Sequence, residues 1–225
     1  MLALVCFVIT VAIYVAAKKL YRRIPVTLLT PLLTVPIAVV AIVLLFGIPY
    51  DTYAAGTQWI TDMVGPGTVA LAVPLYKNIG VLKKHAVTIG VSVGSGAVVA
   101  VLTSAWIADW LQLNAKLIDS LSPRSATTPI AMAISGQIGG IPSITAVFVL
   151  LTGLSGMIIG PLAVRALRIQ NEVARGVLFG TSSHNAGTAK AFELGPVSGS
   201  IASIAMVLTA IITLCTAPIL IRWIS

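Results

Sequence analysis

Charged side chains are scarce in this chain: only 9% of its 225 residues are Asp, Glu, Lys or Arg, while 58% are hydrophobic. Soluble domains carry about 25% charged residues, and a chain so poor in charge cannot cover a surface in water. Its apolar residues form long blocks, several close to the ~20 residues that span hydrocarbon as a helix. Since these blocks lack the short alternation of a β-barrel, the sequence predicts an integral membrane protein built of α-helices.

Other features are also missing, and each absence excludes a class of function. The six Asp and Glu residues fall near the ends of apolar blocks, whereas a cation transporter usually keeps a carboxylate at mid-depth. No phosphate-binding loop, catalytic triad or carboxylate pair is found, so we expect no enzyme and no ATP-driven pump. Cys6 and Cys215 stand alone and indicate no disulfide, metal or cofactor. The net charge of +8 comes without an aromatic-interleaved basic patch, which argues against nucleic acid.

The apolar blocks predict an all-α polytopic transmembrane bundle of about seven spans with one re-entrant segment, in a single domain of residues 1–225. The predicted spans are residues 2–17, 25–46, 64–76, 86–107, 141–162, 177–192 and 197–221. An amphipathic stretch at 50–62 lies between the second and third spans and is typical of a membrane interface.

The basic residues predict the topology. Positive charge accumulates in cytoplasmic loops, so the cluster at 18–23 (KKLYRR) is placed inside and the N-terminus outside. Residues 122–140 are broken by Pro123, Pro129 and several glycines. If this segment crossed the membrane fully, Arg165, Arg168 and Arg175 would lie outside. We therefore predict that it is re-entrant, which keeps these arginines inside and places the C-terminus inside as well.

A weak internal similarity is also present. Pro31 and Thr34 echo Pro142 and Thr145, and the pair at 67–68 (GT) echoes the pair at 187–188. Inverted repeats with broken helices are a recurrent plan of secondary transporters. Because Gly, Pro and Thr are common in this chain, the sequence leaves the repeat open.

One polar cluster surrounds the sequence Thr127-Thr128-Pro129. Proline is favoured in the first turn of a helix, so these residues predict a helix that starts inside the membrane. Its free N–H groups and positive dipole end favour an anion, and the threonine hydroxyls add donors suited to a small carboxylate. Arg124 either attracts that anion or lies at the membrane interface.

A second polar cluster is the segment 180–190 (GTSSHNAGTAK), followed by Glu193. A polar residue within a span is a functional candidate by default, and the neutral-range pKa of histidine suits proton handling. The candidates here are Ser183, His184, Asn185, Gly187 and Thr188, with support from Gly67, Thr68, Lys190 and Glu193. The alternative is structural, because small and hydroxyl residues also let membrane helices pack closely, and Lys190 and Glu193 would then pair on one helix face.

These clusters resemble the signature of the LrgB/CidB family. The resemblance rests on segments 123–131 (PRSATTPIA), 139–142 (GGIP) and 183–190, and residues 69–72 (VALA) and 74–76 (PLY) agree with it. It extends over nearly the whole chain. At Thr30 the family pattern has Asn before Pro31, and the pattern around 65–67 also differs, so no role is carried over to Thr30.

The resemblance implies two functions. One is an antiholin-like regulator of murein hydrolase export and autolysis, acting with a small holin-like (LrgA/CidA-type) partner. The other is transport of a small monocarboxylate such as pyruvate or glycolate, as in the related plastid glycolate/glycerate translocator. Both imply a homo-oligomeric, multi-pass protein of the bacterial cytoplasmic membrane. The residues favour transport, because a regulator does not need a buried histidine beside broken, glycine-rich helices.

Overall fold

The computed structural model describes residues 2–24, 26, 29–63, 66, 69, 70, 72–77 and 79–221, and within these the regular elements are helices. The chain divides into two compact units, Met1–Ala72 and Val73–Ser225. Four helices are long and apolar enough to cross a membrane: Ala3–Arg23, Ile79–Trp110, Pro142–Ala166 and Pro196–Ile221. The prediction of a polytopic helical membrane protein is therefore confirmed.

The first unit contains three helices: α1 (Leu2–Arg23), α2 (Pro31–Leu45) and α3 (Tyr50–Asp62). Helix α1 packs against both others. Gly56 of α3 lies against the backbone of α1, where a Cβ would be 2.9 Å from Ala3 Cα, and the Thr10 and Tyr53 hydroxyls are 3.2 Å apart. Helix α2 has 15 residues and a length of about 22 Å, shorter than the ~30 Å of a hydrocarbon core.

The second unit contains the remaining helices, which are α4 (Ala72–Lys77), α5 (Ile79–Trp110), α6 (Ala115–Leu121), α7 (Thr128–Ile138), α8 (Pro142–Ala166), α9 (Glu172–Leu194) and α10 (Pro196–Ile221). Five residues of the third predicted span, 64–76, fall outside the described residues, namely positions 64, 65, 67, 68 and 71. Helix α5 bends at His85 (φ −116°, ψ 18°), and the part that follows matches the predicted span 86–107.

The buried clusters give the directions of the three long helices in this unit. Near the start of α5, Ile89 and Val93 pack with Ile201 and Ile204 of α10. Towards its end, Val101 packs with Ala217 and Ile221. Helices α5 and α10 are therefore parallel. Helix α8 runs the opposite way, because its early Val149 packs with Ala210 and its late Val164 packs with Ala202.

Helices α6 and α7 form a hairpin, called hairpin one, with an irregular tip at residues 122–127. Helix α7 has 11 residues and a length of about 16 Å, too short to cross. The hairpin is closed where the last turn of α6 meets the residues after α7: the Ile141 N–H donates to Ser120 Oγ at 2.8 Å, and a Cβ on Gly140 would lie 2.8 Å from Ser120 N. The segment predicted to be re-entrant thus leaves and returns at the same end of the unit.

Helix α9 also folds back on itself and is called hairpin two. A straight helix of 23 residues would separate its ends by about 33 Å. Instead, the Ser198 hydroxyl next to the end of α9 donates to the carbonyl of Glu172, its first residue, at 3.1 Å. The reversal is at His184, whose backbone (φ 37°, ψ −126°) is not helical.

Both limbs of hairpin two pack on α10, in opposite directions. On the first limb, Cβ atoms on Gly176 and Gly180 would lie 2.6 Å from Ile201 Cβ and 2.8 Å from Ala205 Cβ. On the second limb, the Thr188 hydroxyl lies 3.9 Å from Met206 Sδ and Phe192 packs over Gly199.

The reversal corrects the predicted topology. Residues 177–192 do not cross as a span, so α10 ends at the opposite side from the basic cluster at 165–175. The expectation of an inside C-terminus depended on that crossing and is wrong for the end of α10. The sequence pattern missed the reversal because His184 is neither Gly nor Pro, the residue types that usually mark a break.

The two hairpins enter the second unit from opposite ends. Hairpin one follows α5 and hairpin two follows α8, and α5 and α8 are antiparallel. The two pairs are therefore related as an inverted repeat. This repeat differs from the one suggested by the sequence. There, Pro31 was paired with Pro142, but the two residues belong to different units. Gly67 and Thr68, which were paired with residues 187–188, lie outside the described residues.

Candidate functional site

The tips of the two hairpins meet at one turn of α8. Ala126, in the tip of hairpin one, packs in a buried cluster with Val149. His184, at the tip of hairpin two, is 5% exposed, and its Nε2 lies 2.9 Å from the Val149 carbonyl oxygen. Because a carbonyl only accepts, His184 carries a proton on Nε2. The two polar clusters found in the sequence are thus brought together by Val149.

Three glycines of α8 receive the tip of hairpin two. A Cβ on Gly153 would lie 2.8 Å from His184 Cε1, and one on Gly156 would lie 2.5 Å from Ser183 Cβ. Real Cβ contacts are longer than this, so the reversed chain sits directly against the α8 backbone. Gly160 accommodates the ring of Phe179 in the same way.

Arg124 projects from the tip of hairpin one between two helices. Its Nε donates to Ser104 Oγ of α5 at 2.8 Å, and its Nη1 donates to Thr152 Oγ1 of α8 at 3.4 Å. A guanidinium has five N–H donors, so most remain for another partner. The salt bridge found among the described residues joins Lys190 to Glu193, and no described carboxylate pairs with Arg124. Which of its two predicted roles Arg124 has remains a prediction.

Two grooves run along opposite sides of the first limb of hairpin two. The α5 groove, of about 740 Å³, lies between that limb and α5. The α8 groove, of about 420 Å³, lies between the limb and α8. Arg124, Leu178 and Ser182 line both grooves. The described residues lining either groove include no Asp or Glu, so Arg124 gives both a positive character.

Two hydroxyls in the α5 groove have no hydrogen-bond partner. Ser125 is 2% exposed, and its Oγ and the Thr181 Oγ1 are both buried and unpaired. An unpaired buried polar group costs about 1–3 kcal/mol. The neighbouring Thr103 is different, because its hydroxyl donates to the Val99 carbonyl at 2.7 Å. Ser125 and Thr181 thus line the groove and keep unused hydrogen-bonding capacity beside it.

The predicted helix start in hairpin one is confirmed. Thr127 is the N-cap residue of α7, Thr128 begins the helix, and Pro129 lies in the first turn. Thr127 is buried, Thr128 is half-buried and Pro129 is exposed. The Thr127 side chain makes no capping hydrogen bond.

The predicted site residues of hairpin two lie in different environments. Ser183 is buried with its hydroxyl 2.9 Å from Ser182 Oγ, and Asn185 is exposed. Gly187 packs against the first limb, where a Cβ would lie 2.6 Å from Ser183 Cβ. The Thr188 hydroxyl faces α10 rather than either groove. The role of these residues in binding remains a prediction.

The remaining candidates lie apart from the tips or outside the described residues. Lys190 and Glu193 form a mutual ion pair of 2.5 Å on the second limb of hairpin two, as the structural alternative anticipated. Gly67 and Thr68 are not among the described residues. Sequence reasoning missed Ser104 and Thr152, because isolated hydroxyl residues in membrane helices usually serve packing. Thr181 lies in the second polar cluster but was not among the predicted site residues.

Comparison with known proteins gives consistent matches over the whole chain. A profile described as the LrgB-like family matches residues 10–223. "Uncharacterized protein YwbG" of Bacillus subtilis (strain 168) is 53% identical over 222 residues, 99% of each chain. "Holin-like protein CidB" of Staphylococcus aureus (strain Mu50 / ATCC 700699) is 35% identical over 219 residues, 97% of this chain and 96% of that protein. No solved structure matches.

Proposed function

This chain belongs to the LrgB-like family, and on that premise we propose that it transports small monocarboxylates such as pyruvate or glycolate across the bacterial cytoplasmic membrane. The observation that carries the proposal is the meeting of two hairpins, entering from opposite ends, at Val149 in the middle of the second unit. Secondary transporters bind substrate where discontinuous helices meet, because only there are backbone groups free at membrane depth.

The charge at this place supports an anionic substrate. Arg124 is half-buried and has no described carboxylate partner, so a bound anion would offset its charge. The start of α7 adds free N–H groups and a positive dipole end. In this proposal Thr127, Thr128, Ser183 and Asn185 contribute donors around the carboxylate. His184 orients the substrate or carries a proton, and Pro129, Gly187 and Thr188 shape the tips.

The test is uptake of labelled pyruvate by proteoliposomes that contain the purified protein, with and without the small holin-like partner expected from the family. We expect accumulation above that of empty liposomes, and competition by unlabelled pyruvate and glycolate but not by pyruvamide, which lacks the carboxylate. If neither preparation moves pyruvate, glycolate or lactate, the transport proposal is wrong.

A second candidate function is regulation of autolysis, which is favoured by the similarity to "Holin-like protein CidB". The two functions separate in a deletion strain complemented with a variant that inserts but does not transport. If such a variant restores autolysis to the same level as the wild-type protein, regulation does not depend on transport. If autolysis follows uptake across several variants, transport is the primary activity.

A further inference from the structure

We propose that the α5 groove is the substrate site, with the carboxylate on Arg124 and the 2-oxo or 2-hydroxy group on the hydroxyls of Ser125 and Thr181. This inference rests on the proposed function and deepens it: Arg124 takes the carboxylate, and the groove beside the tips adds the hydroxyls that hold the group at carbon 2. It is carried by two residues that line the same groove as the guanidinium and whose hydroxyls have no hydrogen-bond partner.

The hydrogen bonds of Arg124 determine how it can hold an acid. Ser104 occupies Nε and Thr152 occupies one hydrogen of Nη1. The other Nη1 hydrogen and both Nη2 hydrogens remain free to donate. Carboxylates bind an arginine fork through two parallel N–H···O bonds. Ser104 and Thr152 are thus positioning residues that hold the guanidinium while its end stays free.

The two hydroxyls come from different elements and complete the site. Ser125 follows Arg124 in the tip of hairpin one, and Thr181 lies on the first limb of hairpin two, one turn before the reversal at His184. A hydroxyl can donate to a 2-oxo group and can donate to or accept from a 2-hydroxy group. An acid without a polar group at carbon 2, such as propionate, would leave both hydroxyls unpaired.

Gly96 of α5 fixes the orientation of Thr181. A Cβ at position 96 would lie 2.9 Å from Thr181 Cγ2, so the methyl group of Thr181 sits where a side chain is absent. Threonine has a stiff χ1 angle. The contact of the methyl group with α5 therefore also fixes the direction of Oγ1.

The experiment compares the binding of lactate, pyruvate and propionate to purified full-length protein by isothermal titration calorimetry. Propionate keeps the carboxylate but has no group at carbon 2. We expect Arg124→Lys to weaken all three acids by about tenfold or more. Ser125→Ala and Thr181→Val should each weaken lactate and pyruvate by roughly fivefold to tenfold while leaving propionate unchanged. Thr103→Val is the matched control, because that hydroxyl lines the groove but already donates to Val99.

Each outcome decides one question. Suppose that the wild-type protein transports pyruvate but that Ser125→Ala and Thr181→Val have the same ratio of lactate affinity to propionate affinity as Thr103→Val. The α5 groove is then not the site, and the transport function stands. If the wild-type protein neither binds nor transports any of the acids, the proposed function itself fails. Should Arg124→Lys not fold, the two hydroxyl variants decide the inference alone.

Discussion

His184 combines two properties that are rarely found in one residue. Its backbone lies in the positive-φ region, which non-glycine residues seldom adopt, and its ring donates to the Val149 carbonyl. Strained conformations persist only where the surrounding structure holds them. Here the holding contacts are the glycine backbone of α8 and the packing of both limbs on α10.

We predict that His184→Ala reduces pyruvate uptake by about tenfold, since the tip of hairpin two loses its hydrogen bond to α8. Membrane insertion should be unchanged. His184→Gln is the informative control, because glutamine keeps an N–H donor but cannot take up a proton. Recovery of uptake in the glutamine variant indicates a positioning role, and uptake as low as that of the alanine variant indicates proton transfer.

Thr128→Val tests the role of the α7 start. The variant keeps the shape of threonine and removes its hydroxyl, so we expect uptake to fall several-fold if this hydroxyl contacts the substrate. Membrane levels measured by immunoblot control for insertion. Uptake equal to wild type, with Arg124→Lys inactive, would exclude Thr128 from the site and leave the α5 groove as the binding place.

Gly96→Ala should weaken lactate binding several-fold, because the added methyl group displaces Thr181. Gly94→Ala is matched to it on the same helix, since a Cβ there meets nothing within 4 Å. Both changes raise helix propensity by up to about 1 kcal/mol, so any difference between them reports the contact. Titration calorimetry with lactate measures it, and equal affinities would remove Thr181 from the binding site.

Among the helices, those governed by local signals were the predictable ones. The starts of α7 and α8 follow from Pro129 and Pro142, and α3 has the predicted limits of 50–62. The reversal of α9 was not predictable, because it depends on tertiary contacts with α8 and α10. The same reason applies to the site: sequence indicated Arg124 and the two tips, but only packing shows which hydroxyls remain unpaired.

The base of hairpin one gives a stability prediction. Ser120→Ala leaves the Ile141 N–H without its acceptor, which should cost about 1–3 kcal/mol. Ser122→Ala is the control, because Ser122 is equally buried at 0% exposure and its hydroxyl only donates within its own turn. Thermal unfolding in detergent should show a clearly lower midpoint for Ser120→Ala. Equal midpoints would mean that this hydrogen bond does not hold the hairpin closed.

At the scale of the whole second unit, basic residues are concentrated at one end. Lys83 and Lys84 at the start of α5 lie at the same end as Arg165 at the close of α8, because the two helices are antiparallel. Asp109 and the exposed Trp110 lie at the other end. Positive residues favour the cytoplasm and tryptophan favours the interface. We therefore predict that hairpin two opens towards the cytoplasm and hairpin one towards the outside.

Cysteine labelling tests this orientation in a background with Cys6 and Cys215 replaced by serine. Single cysteines at Gln170 and Leu194, at the two ends of hairpin two, should both resist an impermeant thiol reagent in intact cells and react after permeabilisation. Cysteines at Asp109, near the end of α5, and at Gln137, near the end of α7, should react in intact cells. Labelling of position 194 but not 170 in intact cells would show that α9 crosses the membrane.

The shortness of the hairpin limbs also bears on how the protein is made. A limb of 11 residues, such as α7, is about half the length that the insertion machinery accepts as a span. During synthesis each hairpin must therefore wait outside the hydrocarbon until the next long helix has been inserted and offers a surface to enter against. For hairpin two that helix is α10. We therefore expect the site to be completed only after α10 has been inserted.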